Sequence, residues 1–494
     1  MHNDSKTSRQ RRLLVLAICC MSLLIVGLDT TIVNVALPSI QKDLKAPVSG
    51  LQWIIDAYTL VIASLLMLSG SLADRIGRRQ VFQVGLVLFT LGSGLSSLAP
   101  NLGFLIAFRA VQGIGGSMLN PVAMSIIRNV FDDPKERAQA IGLWGATVGL
   151  SLALGPVVGG VLVQDVSWRA IFWINIPIGL AAVALTALFV PESRAGKPRR
   201  IDPVGQGLVI VLLAALTYAI IEAPSAGWLS GETLGLFAAG GLALAALVAY
   251  ERRHFEPLLE MRFFRSVPFS GATLIAVAAF AALAGLLFLN TLFLQETRRL
   301  SALDAGLYTL PIAGMTLICA PLSGRFIGSH GSRLPLVVGG LGITAGAVLL
   351  AGATRTTPDW ELLLAYLIFG IGFGSVNPPI TNTAVSGMPA AQAGVAAAVA
   401  STSRQVGSTL GVAVVGAIGA GSAAVALTGG HAASFTPSEA GWWIVAGCGV
   451  AVLALGLLTT TRRAGATARE VAKNFDEGAP AAPAPPHEPQ PAGV

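Results

Sequence analysis

Charge is what this chain of 494 residues has least of: 12% are Asp, Glu, Lys or Arg, against roughly a quarter in an ordinary soluble domain. With 54% hydrophobic residues and a mean hydropathy of +0.72, a soluble fold is excluded and a polytopic membrane protein is indicated. Cysteine is nearly absent. Cys19, Cys20, Cys319 and Cys448 all fall inside apolar runs without metal-ligand spacing, so neither a disulfide nor a metal site is expected, and no cofactor is implied. There is no GxxxxGK[ST] loop, which argues against an ATP-driven machine. The apolar runs hold no nucleophile with its base and no metal cluster, so an enzyme is not expected. The net charge of +7 would suggest a nucleic-acid partner in a soluble protein, but here the basic residues sit in the gaps between apolar runs.

A spanning helix needs roughly 20 apolar residues. By that measure runs begin near Leu13, Trp53, Val81, Gly103, Ala138, Ala170, Val204, Glu232, Phe269, Leu303, Pro335, Trp360, Gly394 and Gly441, which makes fourteen. The first, from about Leu13 to Ala36, is too long for the h-region of a signal peptide and lacks a small-residue cleavage site, so it is read as helix 1. With both termini placed inside, 24 of the 32 Lys and Arg residues fall on the inner side, six on the outer side, and only Arg109 and Arg404 within the membrane. That bias predicts cytoplasmic termini.

Order along the chain is given by a repeat. GSLADRIGRR, Gly70 to Arg79, returns in degraded form as GRFIGSHGSR, Gly324 to Arg333; Gly70, Gly77 and Arg79 match Gly324, Gly331 and Arg333, while Gly328 replaces Asp74. A tight cytoplasmic turn between two membrane helices needs Gly for its backbone and Arg to hold it inside. The segment resembles the signature loop between helices 2 and 3 of the major facilitator superfamily. The resemblance implies an all-α major facilitator fold of 14 transmembrane helices, two six-helix bundles plus two linker helices. The expected divisions are a cytoplasmic N-terminus (1–12), an N-terminal bundle (13–190), a cytoplasmic link with helices 7 and 8 (191–268), a C-terminal bundle (269–463) and a disordered cytoplasmic tail (464–494). The tail ends in APAAPAPPHEPQPAGV, a composition that cannot pack a core. Gly70, Asp74, Arg75, Gly77 and Arg78 are expected to form a gating loop, with Asp74, Arg75 and Arg78 latching the cytoplasmic side when the protein faces outward.

An ionisable group inside a span is costly and usually functional. Asp29, in LDTTIVNVALP, lies seven residues before the outer end of helix 1, about 10 Å deep, and Arg109 lies six residues into helix 4, about 9 Å deep. The two are level. Either they form a static ion pair or they separate when Asp29 takes a proton, because burial raises a carboxyl pKa and a guanidinium lowers it. Gln112 follows Arg109 on the same helix face. The run RAVQGIGGS resembles the family's helix 4 motif, in which a buried arginine is tied to proton coupling. In the second half YLIFGIGFGSVNPP echoes it with Tyr366 in place of the arginine.

In helix 5, Gly155-Pro156-x-x-Gly159-Gly160 resembles the superfamily's antiporter motif, with Ser151 where the family usually has Gly. Pro156 kinks the helix and the glycines offer a smooth face for another helix to seal against. WRAIFWINIPIG, Trp168 to Gly179, resembles a segment of the fourteen-helix drug:proton antiporter branch. Asn34, Gln112, Asp56, Glu222 and Arg404 are candidate substrate contacts. For Asp56 and Glu222, interfacial solvation competes evenly with cation recognition. For Arg404, in RQVGSTLG of helix 13, a brace to the opposite bundle is favoured over substrate. The resemblance implies proton-coupled efflux of drug-like or antibiotic molecules across the plasma membrane, with small-molecule substrate, protons and the lipid bilayer as partners, no nucleic acid, and a monomer. The alternatives are an exporter dedicated to one natural product and a transporter-like sensor.

Overall fold

In hydrocarbon every backbone N–H and C=O must be bonded within its own segment, so long apolar runs become helices. The computed structural model describes residues 9–196, 201–254, 257–386, 393–427 and 439–476, and among them there are helices and no strands. In order they are α1 (Arg9–Leu44), α2 (Val48–Ile76), α3 (Arg78–Ser97), α4 (Leu102–Val130), α5 (Pro134–Asp165), α6 (Ala170–Trp173), α7 (Asn175–Phe189), α8 (Pro203–Ala226), α9 (Gly231–Glu251), α10 (Val267–Leu292), α11 (Ala302–Tyr308), α12 (Leu310–His330), α13 (Arg333–Ala351), α14 (Asp359–Val385), α15 (Ala393–Leu427), α16 (Glu439–Thr459) and α17 (Arg462–Asp476). Taking α6 with α7, α10 with the π-turn Phe293–Thr297, and α11 with α12, thirteen segments are long and apolar enough to cross a membrane. The expected fourteenth is α15, 35 residues long, part of whose side chains lie outside the described residues.

The two halves use one set of pairings. In the first, α1 packs on α4, α5 and α7, α4 on α2 and α3, and α3 on α7; in the second, α10 packs on α14, α15 and α16, α14 on α12 and α13, and α13 on α16. Glycines make the closest crossings. A methyl group on Gly113 would stand 2.8 Å from the Tyr58 carbonyl oxygen of α2, and one on Gly115 would stand 2.6 Å from the Gly85 carbonyl oxygen of α3. Their counterparts Gly370 and Gly372 press on the backbones of α12 and α13 in the same way. The repeated loop closes with Gly77 at φ 140° and Gly331 at φ 81°, a region where other residues are strained.

The halves meet chiefly along two seams, α5 against α11 and α12, and α15 against α2, with smaller contacts of α1 on α10 and α11. On the second, Gln52 Nε2 donates to the carbonyls of Ala413 at 2.8 Å and Val412 at 3.2 Å, and Thr409 donates to Thr59 at 3.0 Å. The linker helix α8 lies on both partners of this seam and carries α9 on its far side. Gln206 of α8 donates to the Ser64 carbonyl of α2.

The expectation of disorder from residue 464 is corrected by α17. RRAGATAREVAKNFD puts Ala464, Ala468 and Val471 on one face at helical spacing, all buried, with Arg463, Arg469 and Lys473 turned outward. Thr467 accepts from the Val267 amide at 3.0 Å, fastening α17 beside the start of α10. The Ala- and Pro-rich end, from residue 477, lies outside the described residues.

The glycine crossings predict an asymmetry in tolerance. Gly115→Leu or Gly372→Leu should abolish recovery of monodisperse protein, since backbone stands in the way and overpacking typically costs about 1–3 kcal/mol even where side chains can shift. Gly142→Leu, where nothing lies within 4 Å, should be recovered like the parent. Size-exclusion chromatography after membrane extraction checks this; equal recovery of all three would show that the crossings do not hold the bundles.

Candidate functional site

Asn101 caps α4 by accepting from the Phe104 amide at 3.1 Å. From that fixed start the helix carries Arg109 into the middle of the first bundle. α1 brings Asp29 to it: Arg109 Nη1 donates to Asp29 Oδ2 at 2.6 Å, with Arg109 1% and Asp29 0% exposed. The level placement read from the two helix depths is therefore a direct contact. The guanidinium also donates to Gln112 Oε1 at 2.7 Å and, through Nε, to the Ile54 carbonyl of α2 at 3.1 Å. Gln112 Nε2 donates to Asp29 Oδ1 at 2.9 Å. Asn175, the first residue of α7, adds a second donor to the same oxygen at 3.2 Å and another bond to Ser93 Oγ at 3.1 Å, and Ser93 in turn donates to the Phe172 carbonyl at 2.9 Å. Tyr58 lies under the guanidinium, its ring centre 4.2 Å away. The ion pair thus has neutral partners on three helices, α2, α4 and α7, the condition under which buried opposite charges hold together. Asn175, Ser93 and Tyr58 were not among the expected site residues. Asn175 was visible as the one amide in WRAIFWINIPIG, a polar side chain in an apolar run.

The remaining candidates separate. Asn34 is buried on α1; its amide N–H donates to the Thr30 carbonyl and its Oδ1 has no hydrogen-bond partner. Asp56 is fully buried on α2, which rules out interfacial solvation; Thr59 donates to its Oδ1 at 3.3 Å, and its Oδ2 has no partner. Glu222 of α8 accepts from Trp53 Nε1 of α2 at 2.9 Å and from Ser225, tying a linker helix to the first bundle. Arg404 donates to Thr381 and Ser401 and lies 5.9 Å from the Phe280 ring centre, while its Nε has no partner. All those partners belong to its own bundle, and among the described residues no brace to the opposite one is seen. In the second bundle Tyr366 donates to Asn290 Oδ1 of α10 at 2.5 Å. A neutral tyrosine and asparagine occupy the places that Arg109 and Asp29 hold in the first. The cavity resolved between α1, α5 and the α10–α11 connection, about 650 Å³, is lined by Lys42, Gln295, Glu296 and Arg299 and does not include the Asp29–Arg109 pair.

The sequence profile described as Major Facilitator Superfamily matches residues 19–412. The chain belongs to that superfamily. It is 36% identical over 407 residues to the multidrug resistance protein Stp of Mycobacterium tuberculosis, covering 82% of this chain and 76% of Stp. It is 38% identical over 422 residues to the tetracenomycin C resistance and export protein of Streptomyces glaucescens, covering 84% and 78%. The crystal structure of a D-xylose–proton symporter superposes with a TM-score of 0.65 at 17% identity, covering 91% of this chain and 97% of that one, which shows the shared fold.

The two segments that resemble superfamily motifs, placed on this fold, act on different neighbours. In the loop, Asp74 pairs with Arg78 at 3.0 Å within its own bundle, and Arg75 is exposed. Glu192, not foreseen from the sequence, accepts from the Arg79 and Gln80 amides at 3.1 and 3.3 Å, placing a carboxylate on the positive end of α3. Gly77 leaves room for that carboxylate, which would lie 2.7 Å from a methyl group there. In α5, Gly155 and Gly159 pack on Thr31 and Ile32 of α1, inside the bundle, where Ser151 also donates to the Leu24 carbonyl. Gly160 and Pro156 instead face the second bundle: Gly160 lies under Leu303, and Gly306 packs on the Pro156 carbonyl. The single smooth face expected of all three glycines is thus two faces, and only the Pro156–Gly160 side touches the other half.

The buried pair makes its own energetic prediction. Arg109→Gln should destabilise the protein by about 3–5 kcal/mol, because the carboxylate of Asp29 is left without its counter-charge, and Asp29→Asn/Arg109→Gln should recover most of the loss. Thermal unfolding of purified protein measures both. If the double variant melts below the single one, the two side chains are not a balanced pair.

Proposed function

We propose that the chain exports drug-like or antibiotic small molecules across the cell membrane in exchange for inward-moving protons, with both termini in the cytoplasm. The observation that carries the reading is the fully buried Asp29 carboxylate held by Arg109. A carboxylate in that setting binds its counter-charge or a proton, and protonation frees Arg109 with its attached Gln112 and the Ile54 carbonyl of α2. Those bonds reach α1, α2, α4 and α7, so one proton changes how the first bundle is held together. The second bundle, with Tyr366 and Asn290, has no such pair among the described residues and moves as a body against the first. Efflux as the direction is supported by the names and identities of the relatives and by the antiporter-like segment of α5.

In this reading the seams Gly160–Leu303, Gly306–Pro156 and Gln52–Ala413 close the outer side, and the described arrangement faces the cytoplasm. Asp74, paired with Arg78 here, engages the second bundle when the protein turns outward. Asn34 Oδ1, Asp56 Oδ2 and Arg404 Nε, polar atoms without partners, are the contacts offered to substrate. An exporter dedicated to a single natural product uses the same machinery and differs only in the breadth of compounds exported.

The reading is tested with a pump-deficient host challenged with a panel of toxic compounds that includes tetracenomycin C, followed by uptake into inverted vesicles. Acidifying the vesicle interior should make the parent protein accumulate an exported compound several-fold. Asp29→Asn, compared at equal protein level, should let the compound equilibrate without accumulating it, and the Asp29→Asn/Arg109→Gln protein should behave alike. Accumulation by Asp29→Asn at the parent rate would place the coupling group elsewhere.

A further inference from the structure

The linker hairpin α8–α9 contains two buried carboxylates that the transport reading does not use. Asp202 caps α8 and is 4% exposed; Glu251 ends α9 and is 2% exposed. One oxygen of each is occupied. Asp202 Oδ1 accepts from the Gly205 amide at 2.9 Å and from the Tyr250 hydroxyl at 3.1 Å, and Glu251 Oε2 accepts from the Leu259 amide at 3.4 Å. The other oxygens, Asp202 Oδ2 and Glu251 Oε1, are buried and have no partner among the described residues. They converge on one point: a methyl group added to Gly205 would meet Asp202 Oδ2 at 2.5 Å and Glu251 Oε1 at 2.7 Å. Glycine at 205 is what lets the two approach.

Two oxygens at 2.5 and 2.7 Å from one point are about 5 Å apart at most, and two carboxylates so placed out of water resist being ionised together. Among the described residues neither carboxylate has an ion-pair partner. Arg252 and Arg253 are exposed, and the groups that do face the pair are Tyr250, whose hydroxyl donates to Asp202, and His254, whose ring stacks on Tyr250 at 5.1 Å. No group of three or more His, Cys, Asp or Glu side chains able to hold a metal ion occurs among the described residues, which leaves a proton as the simplest relief for the two orphan acceptors. We propose that Asp202 and Glu251 form a carboxyl–carboxylate dyad that binds one proton at neutral pH, a second proton site at the foot of the linker hairpin and distinct from Asp29. Its neutral carboxyl donates to the facing carboxylate and fastens α9 to the first turn of α8. When the proton leaves, the like charges part and the foot of α8 loosens. Because α8 lies across the seam between α2 and α15, the dyad reports pH to the contact between the two bundles.

The sign of the pH effect follows from linkage. A proton held between the two carboxylates in the folded protein and not in the unfolded chain makes their stabilisation full at low pH and lost as rising pH removes that proton. In Glu251→Gln an amide N–H stands where the proton was, so this variant has no such proton to lose. Melting curves of purified full-length protein at a series of pH values should therefore show the parent losing roughly 2 °C per pH unit relative to Glu251→Gln once the dyad titrates. The parent minus Glu251→Gln infrared difference spectrum should carry a protonated-carboxyl band at neutral pH that is gone at alkaline pH. Gly205→Ala, which puts a methyl group between the oxygens, should show the same loss of pH dependence and serves if the amide variant does not fold. None of these readouts uses transport, so failure of the export reading leaves the test intact. Parallel melting curves for parent and variants, or a difference spectrum without that band, would overturn the dyad.

Discussion

Arg109 cannot shed its proton, so once α4 carries it into the first bundle every helix around it must answer a fixed positive charge in a medium that does not solvate it. Asp29 supplies the counter-charge, and the Ile54 carbonyl, Gln112 and the ring of Tyr58 take up the rest of the guanidinium. Asn175 and Gln112 in turn hold the carboxylate. The glycine crossings exist in the same service. Gly113 and Gly115 bring α2 and α3 against α4, and the Tyr58 that Gly113 presses on is the residue beneath the guanidinium. Stability and function are therefore read from the same few side chains: what balances the charge is also what a proton would disturb.

The second bundle shows what the fold needs when the charge is removed. Its pairings and glycine crossings repeat those of the first, yet Tyr366 bonded to Asn290 replaces the ion pair. The architecture therefore does not depend on charge at this position, and an ionisable pair has been kept on one side only. That asymmetry gives the proposed mechanism its division of labour, with one bundle responsive to protons and the other a rigid partner.

Much of this was legible before any coordinates. Apolar length and the loop repeat were enough for the helices and their pseudo-symmetry, and helix rise alone brought Asp29 and Arg109 to one level, because both are counted from nearby helix ends. Tyr366 was legible as the lost arginine, but Asn290 was not, since an amide in an apolar run has no partner until α10 is laid against α14. The same limit hid Asn175 and Glu192, whose roles come from contacts across distant stretches of chain. It also merged the faces of α5: glycine spacing tells that something packs closely, and only the third dimension tells that Gly155 meets α1 while Gly160 meets α11. For α17 the error was one of averaging, where a tail dominated by Ala and Pro concealed fifteen residues with a sound helical period.

The account turns on whether Asp29 gives up its proton when substrate arrives. The most direct measurement is proton release from purified protein in weakly buffered detergent solution on addition of a compound that the vesicle assay shows to be exported. The account predicts release from the parent at pH values where Asp29 is protonated before substrate binds, and none from Asp29→Asn, with binding retained in both. Equal release from parent and Asp29→Asn would contradict it, because the proton would then come from a group other than the one that Arg109 holds.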